Sequence, residues 1–322
     1  MVPFDEVNYR KYMDTVVRSW LREHVVSSHF PGYKGKRIHY YSAVRPDAKA
    51  VIVMVHGFCE FFAKFHETAY DFYDQGYSIY FIEQRGHGRS WRAVPELDRV
   101  DVTDFSEYVE DLKALLDQIV IPQTKGLKHF LFAHSMGGAV GALFLERYSE
   151  YFNAAILSSP MLKMTFGDVP LWQVKALSGV SQLLRWNNRQ MPGGQDFDGK
   201  PDFENSAALS RARYDYQFEP RIDPRSKNRY TMNSGTFRWV RAAMKATEEI
   251  QAHAAAIQIP LLICQAGHDA FVDNEGQNQV ASAAGNARLV LFPEAKHEIY
   301  NSFGQTLANY YRTLLTFYSE QL

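Results

Sequence analysis

Short apolar runs alternate with amphipathic helical patterns along most of this chain. Residues 104–120 place apolar side chains on one face with a period of 3.6, and a weaker helical pattern covers residues 62–73. A last amphipathic helix is predicted near the C-terminus. This alternation predicts a doubly wound, mostly parallel α/β sheet with ligands at the carboxyl ends of its strands. The predicted buried strands are residues 50–55, 78–82, 129–133, 154–157, 260–264 and 288–292.

The alternation stops between residues 161 and 256. Five prolines, the Gly193-Gly194 pair and many aromatic residues interrupt this stretch. It predicts an inserted helical cap of short helices and loops at residues 161–256, with residues 1–160 and 257–322 forming the core. Residues 37–44 are predicted to add an antiparallel strand at the edge of the sheet.

The composition of the chain excludes some kinds of protein. The 322 residues carry a formal net charge of -1, so the overall charge does not favour binding to nucleic acid. The N-terminal residues lack the apolar segment of a secretory signal, and the longest apolar run is far shorter than the roughly 20 residues of a membrane span. We therefore expect a cytoplasmic protein, with peripheral contact at the inner membrane left open. Neither a cofactor nor a metal site is expected, because no histidine–carboxylate spacing resembles one.

Charge is unevenly distributed along the chain. Residues 161–245 contain 14 Lys and Arg against 8 Asp and Glu, a balance of +6. One interpretation is a solvated surface of salt bridges. The other is a basic cap that favours anionic lipid headgroups or a substrate with a phosphate group. The sequence leaves both open, and it leaves the oligomeric state open as well.

Ser135 follows the predicted strand 129–133 directly and precedes a helical stretch that runs to about Tyr148. A tight turn from strand to helix lifts a serine hydroxyl clear of the backbone, and it needs small neighbours because the two backbones approach closely. Gly137, Gly138 and Gly141 meet that need, although Ala133 stands where glycine is usual. The pattern predicts that Ser135 is a nucleophile.

A serine nucleophile needs a base and an acid that orients the base. His297 follows the last predicted strand, which places it at the same edge of the sheet. Asp269 and Asp273 both follow the preceding strand and compete for the role of acid. Asp269 lies nearer the end of that strand, whereas Asp273 suits the N-cap of the next helix. We therefore predict Ser135, His297 and Asp269 as nucleophile, base and acid.

Attack on a carbonyl creates an oxyanion that needs N–H donors in place beforehand. The backbone amide of Met136 follows the nucleophile, and the amide of Phe58 lies in the loop after residues 50–55. These two amides are the predicted oxyanion hole. His56 is interpreted as a structural hydrogen-bonding residue. The glycine-rich run 85–90 is interpreted as a tight turn in which Arg85 ties neighbouring loops together.

Five motifs carry a resemblance over almost the whole chain: HGFCEFFAKF (56–65), FIEQRGHGRS (81–90), AHSMGG (133–138), GHDAFVD (267–273) and AKHEIYNS (295–302). With them the chain resembles an α/β-hydrolase of the group of monoglyceride lipases and bacterial lysophospholipases, a serine aminopeptidase-like hydrolase fold. The resemblance implies that Ser135, Asp269 and His297 are the catalytic triad. Epoxide hydrolases carry aspartate as the nucleophile in this turn from strand to helix, the nucleophile elbow, so Ser135 argues against that family.

The predicted activity is hydrolysis of a lipid ester, a lysophospholipid or a monoacylglycerol, through an acyl-enzyme. A small-ester esterase or peptidase of the same fold is one alternative, and a non-catalytic ligand-binding member is another. The cap is expected to supply an apolar slot for the acyl chain. Its candidate residues are Trp172, Trp186, Phe203, Tyr214 and Trp239.

Overall fold

The computed structural model describes residues 5–167 and 169–322. Two parts of the chain lie outside the described residues. One is Met1–Phe4, the start of the N-terminal segment that was judged not to be a secretory signal. The other is Asp168, one of the eight carboxylates counted in residues 161–245. In the described part, eight strands form one sheet in the order β1-β2-β4-β3-β6-β7-β9-β10, and β5 pairs with β8 in a small second sheet. The strands are β1 Val26–Pro31, β2 Arg37–Ala43, β3 Ala50–Val55, β4 Tyr77–Glu83, β5 Arg99–Val100, β6 His129–His134, β7 Ala154–Ser158, β8 Ser234–Gly235, β9 Leu261–His268 and β10 Ala287–Lys296.

Helices cover both faces of the large sheet. The α-helices are α1 Tyr9–Tyr12, α2 Arg18–His24, α3 His66–Asp74, α4 Ser106–Leu115, α5 Ile121–Gln123, α6 Met136–Tyr148, α7 Leu171–Leu183, α8 Arg211–Ile222, α9 Phe237–His253, α10 Asn274–Ala283 and α11 Gly304–Ser319. A π-helical turn joins α1 to α2 and another joins α4 to α5. Among the described residues, no helix is both long enough and apolar enough to span a membrane.

The six strands predicted for the sheet are all present, and the sheet is parallel from β4 to β10. The doubly wound α/β prediction is therefore confirmed. The prediction that residues 37–44 form the edge was wrong, because β2 pairs antiparallel with β4 on one side and with β1 on the other. The edge strand β1 has mostly exposed and polar side chains, and so it lacks the apolar signal of a buried strand.

Strand β3 shows how the sheet separates two apolar cores. Val51, Val53 and Val55 point into the core that is covered by α4, α6 and α9. Ile52 and Met54 point into the opposite core, which is covered by α3 and α11. A strand buried on both faces carries an unbroken apolar run, because successive side chains alternate between the two faces. This explains why residues 50–55 are apolar throughout.

Residues 161–256 contain α7, α8 and α9. The prediction of short helices does not describe α9, which has 17 residues. Its buried side chains, among them Trp239, Ala243 and Ile250, pack in the same core as α6. Its N-cap, Thr236, accepts a hydrogen bond from the amide of Trp239 at 3.1 Å, and this contact defines where the helix begins.

Candidate active site

Ser135 lies in a strained turn between β6 and α6. Its φ of 53° and ψ of -118° lie outside the regions that a non-glycine residue usually adopts. The turn brings backbones so close that a Cβ on Gly137 would lie 2.5 Å from the carbonyl oxygen of His56, and one on Gly138 would lie 2.5 Å from the Cβ of Pro160. Glycine is therefore required at both positions for α6 to start where it does.

His297 connects Ser135 to Asp269 by hydrogen bonds. Its Nε2 lies 2.8 Å from the Ser135 Oγ, and its Nδ1 lies 2.7 Å from the Asp269 Oδ2. Asp269 also accepts hydrogen bonds from the amides of Phe271 and Val272, at 2.9 and 3.1 Å. Burial opposes ionisation of Asp269, but the bond to His297 and the two amides outweigh burial and lower its pKa. The structure thus brings together the three side chains that the sequence analysis selected.

Asp273, the alternative acid, lies elsewhere. Its side chain accepts a hydrogen bond from the amide of Glu275 at 2.9 Å and caps α10. It also pairs with Lys163 at 2.8 Å. A carboxylate with these partners is not available to orient His297.

The loop after β3 carries Phe58, one of the two predicted oxyanion donors. The amide of Cys59 donates to His87 Nε2 at 3.1 Å, and the amide of Gly57 donates to Glu60 Oε2 at 2.5 Å. Between these two anchors, the amide of Phe58 has no hydrogen-bond acceptor among the described residues, and the same is true of the amide of Met136. Both predicted donors are thus free to bind a ligand oxygen.

His87 holds this loop as a neutral imidazole. Burial lowers its pKa well below the usual range, and the contact of its Nδ1 with the carbonyl of Arg85 at 3.1 Å leaves Nε2 as the acceptor for Cys59. The run 85–90 is therefore more than a tight turn, because it supports the Phe58 loop. Arg85 joins helix α4 through Asp111 at 2.7 Å and through Glu107, whereas the sequence analysis expected it to join neighbouring loops.

A buried polar cluster beneath Ser135 was missed by the sequence analysis. Glu60 accepts hydrogen bonds from Tyr300 Oη at 2.6 Å and from His134 Nδ1 at 3.0 Å, and it lies 3.3 Å from Lys64 Nζ. Lys64 also pairs with Glu298, which follows His297 in the chain. The cluster connects the Phe58 loop, the residue before Ser135 and the residue after His297. In the sequence, the local feature that pointed to this cluster was Glu60, a glutamate in a loop rich in aromatic residues.

The predicted apolar slot is only partly supported. Trp239 is buried, and the centre of its ring lies 4.3 Å from the centre of the Phe58 ring, beside the Phe58 loop. Phe203 packs against Tyr214 with ring centroids 5.4 Å apart. Trp172, by contrast, is 69% exposed on α7 and does not line an enclosed slot.

The basic excess of residues 161–245 is partly neutralised by carboxylates elsewhere in the chain. Lys163 pairs with Asp273, Lys175 with Glu248, Arg213 with Glu67, Arg238 with Asp101 and Lys245 with Asp104. These contacts favour the interpretation of a salt-bridged surface over that of a uniformly basic face. No group of three or more potential ligand side chains placed to hold a metal occurs in the described ranges.

The sheet order and the serine at the end of a central strand define an α/β-hydrolase, and the chain is an enzyme of the serine hydrolase class. The family model described as "Serine aminopeptidase, S33" matches residues 46–302, and the chain belongs to that family.

Curated relatives carry lipase and lysophospholipase names. "Probable lysophospholipase L2" of Haemophilus influenzae is 27% identical over 283 residues, which are 86% of this chain and 87% of that protein. "Lysophospholipase L2" of Escherichia coli K12 is 29% identical over 270 residues, covering 77% and 74%. "Monoacylglycerol lipase" of Mycolicibacterium smegmatis is 28% identical, covering 86% and 92%.

Solved structures share the fold. The monoglyceride lipase of Saccharomyces cerevisiae superposes with a TM-score of 0.70 at 18% identity and covers 92% of this chain and 94% of its own. The monoacylglycerol lipase of Paleococcus ferrophilus gives a TM-score of 0.67 at 19% identity, covering 88% and 99%. At such identities the likeness concerns the fold alone.

Proposed function

We propose that this protein hydrolyses the ester of a single-chain lipid, a lysophospholipid or a monoacylglycerol. The observation that carries the proposal is the chain of hydrogen bonds from Ser135 through His297 to Asp269. It supplies an activated nucleophile, which a protein that only binds a ligand does not need. The relatives named for lipid esters support the choice of substrate class.

In the proposed mechanism the Ser135 Oγ attacks the ester carbonyl while His297 Nε2 takes its proton. The negative charge that develops on the carbonyl oxygen is stabilised by the amides of Phe58 and Met136. His297 then donates the proton to the leaving glycerol oxygen, and the C–O bond breaks to leave an acyl-enzyme. Water, deprotonated by His297, cleaves that acyl-enzyme and releases the fatty acid.

Asp269 keeps the proton of His297 on Nδ1, which leaves Nε2 free to accept the proton of Ser135. The 2.7 Å contact and the lowered pKa of Asp269 support this role, because an ionised carboxylate stabilises the imidazolium that forms. The anchors on Gly57 and Cys59 hold the Phe58 amide in place before the reaction. A donor fixed in advance costs no reorganisation when the charge develops.

The proposal is tested by substituting Ser135 with alanine. We expect hydrolysis of lipid and short esters to fall by about 10⁴-fold or more, and an organophosphorus probe to stop labelling the protein. Ser282→Ala is a matched control, since Ser282 is exposed and bonds only to the carbonyl of Asn278. If the Ser135→Ala variant keeps its activity or its label, the proposed mechanism is wrong.

The substrate class needs a separate measurement. Wild-type rates with monoacylglycerols, lysophospholipids, short acetyl esters and an aminopeptidase substrate compare the rival activities directly. We expect long single acyl chains to give the highest kcat/KM, and a preference for acetyl esters or peptides would contradict the lipid proposal.

We further propose that residues 161–256 act as a cap that makes peripheral contact with the surface of a membrane. Helix α7 supports this role, because its only charged residue is Lys175 and it exposes large apolar side chains, including Trp172, Leu177, Val180 and Leu183. An exposed apolar helix with tryptophan is typical of a segment that lies in the membrane interface. A lipid surface is where a lipid substrate would be taken up.

A further inference from the structure

A small cavity lies beside both loops of the active site. Its volume is about 70 Å³, and Cys59, next to Phe58, and Glu298, next to His297, are among the residues that line it. One water molecule needs roughly 10–15 Å³ of such space, so the cavity admits a group of several heavy atoms. Arg221, from the last turn of α8, lies in its wall.

The Arg221 guanidinium is held without a carboxylate partner in the described part of the chain. Its Nε donates to the carbonyl of Tyr230 at 3.1 Å, and its Nη2 donates to the carbonyl of Met232 at 2.8 Å and to Asn233 Oδ1 at 3.2 Å. Nη1 has no hydrogen-bond acceptor within the described ranges. The guanidinium carbon also lies 4.2 Å from the centre of the Phe197 ring. These contacts fix the cation and leave one nitrogen free.

The lining of the cavity contains three charged side chains, Lys64, Arg221 and Glu298. Lys64 pairs with Glu298. Arg221 is thus the charged side chain of the lining that has no carboxylate in salt-bridge contact among the described residues. Burial lowers the pKa of Arg221, because it withdraws the guanidinium from water. Arginine nevertheless stays charged at neutral pH, and so the cavity is prepared for an anion.

We propose that Arg221 binds the phosphate of a lysophospholipid headgroup and thereby makes the enzyme prefer a phosphorylated glycerol ester to a neutral monoacylglycerol. This inference rests on the proposed function, because it places the headgroup beside an ester that lies between Ser135 and the Phe58 amide. A guanidinium donates readily to phosphate oxygens, and a charge-assisted hydrogen bond is worth about 10- to 100-fold in affinity. Arg221 is thus a specificity-determining residue.

Arg92 provides a matched control. It donates to the carbonyl of Arg229 at 2.8 Å and to Met232 Sδ at 3.1 Å, and so it ties down the same segment of the cap that Arg221 holds. Arg92 is not among the residues that line the cavity. Substituting it removes a half-buried arginine and loosens the same segment without removing a charge from the residues that line the cavity.

The experiment compares kcat/KM for a lysophosphatidylethanolamine and a monoacylglycerol with the same acyl chain, in wild type, Arg221→Gln and Arg92→Gln. We expect Arg221→Gln to lower the ratio of phospholipid to neutral lipid by roughly 10- to 100-fold and Arg92→Gln to leave the ratio unchanged, even if its overall activity falls. An unchanged ratio in Arg221→Gln, or an equal fall in both variants, overturns the proposal.

A second measurement uses water-soluble competitors instead of lipid substrates. Glycerol 3-phosphate, but not glycerol, should compete with a short neutral ester in the wild-type enzyme, and Arg221→Gln should relieve that competition. If inorganic phosphate competes while the lipid ratio is unchanged in Arg221→Gln, the cavity binds free phosphate and the headgroup proposal is wrong. If glycerol 3-phosphate does not compete, the anion site itself is rejected. If the wild type cleaves short esters but neither lipid, the proposed function fails instead, and the competition assay still reports on Arg221.

Discussion

Helices α6 and α7 each have 13 residues and are both rich in apolar side chains, yet they lie in opposite environments. The first ten residues of α6, Met136–Leu145, are all buried between the sheet and neighbouring helices. Helix α7 leaves Leu183 84% exposed and Val180 about half exposed. The apolar residues of α6 are therefore explained by burial when the chain folds. The exposed apolar residues of α7 are not explained in that way.

The difference also concerns what each helix holds in place. Helix α6 follows Ser135, which bonds to His297, and the side chains of His297 and Asp269 are enclosed. Its Gly137 faces the carbonyl oxygen of Val55 in β3 at close range. Helix α7 contacts α9 through hydrogen bonds from Arg241 to Ser178 and Ser181, and its Gly179 has open space where a side chain would be. We infer that the first region is shaped by catalysis and packing, and the second by a partner surface. Five substitutions test this comparison.

The largest effect is expected from removing the charge of Asp269, and removing the charge of Lys175 in α7 is its counterpart. In the Ser135 region, Asp269→Asn should lower kcat by about 10⁴-fold, because a neutral amide no longer holds His297 in the required tautomer. In α7, Lys175→Gln should change the free energy of unfolding by less than about 1 kcal/mol, since its pair with Glu248 is exposed. Steady-state kinetics and urea unfolding measure the two effects.

The same carboxylate predicts a pH dependence. The folded-state pKa of Asp269 is lower than its unfolded value, so the ionised group stabilises the fold above about pH 4 and loses this contribution as the pH falls through the folded pKa. The stability difference between wild type and Asp269→Asn should therefore shrink from about pH 6 towards pH 2. A difference that grows on acidification would contradict the assigned direction.

Packing at the start of α6 gives the second effect. Gly137→Ala places a methyl group against the carbonyl oxygens of Val55 and His56, and neither can move without displacing β3. We expect a loss of about 3 kcal/mol or more in unfolding free energy, at the upper end of overpacking effects. Esterase activity should fall as well, because the shift of α6 moves Ser135. A stable and fully active variant would show that the turn is more adaptable than its geometry indicates.

The exposed face of α7 gives the third effect. Leu183→Asp should weaken binding to phosphatidylcholine–phosphatidylglycerol vesicles by about tenfold or more, since burial of a leucine in an apolar phase is worth roughly 1.5–3 kcal/mol. Hydrolysis of a water-soluble short ester should be unaffected. Leu291→Asp, an exposed leucine on strand β10 outside the cap, is the control. Equal losses in both variants, or no loss, would show that α7 does not contact the membrane.

The same comparison explains what could be predicted from the sequence. Strands β3, β4, β6, β7, β9 and β10 carry apolar runs, and the elbow carries glycines next to Ser135, so local patterns were enough to locate them. Strand β1 was missed because its side chains are mostly exposed. Trp172 was expected in an acyl slot, but an aromatic residue has the same sequence signal on a surface as in a pocket.

The buried cluster beneath Ser135 could not be predicted for a different reason. Glu60 bonds to His134, 74 positions away, and to Tyr300, 240 positions away. Contacts over such separations exist only after the sheet has assembled, and no spacing in the chain marks them. Arg221 is similar, because two of its three acceptors are backbone carbonyls, which every residue type provides.

The smallest effect is the counterpart of Gly137→Ala in α7. Alanine at Gly179 meets no atom within 4 Å, and glycine inside a helix is less stable than alanine by roughly 0.5–1 kcal/mol. Gly179→Ala should therefore raise the free energy of unfolding by about that amount and leave kcat/KM for a soluble ester unchanged. The same substitution is thus expected to change the free energy of unfolding in opposite directions in two helices of equal length, because one glycine faces a backbone and the other faces open space. If Gly179→Ala destabilises the protein, α7 packs more tightly than its exposure indicates and the contrast with α6 fails.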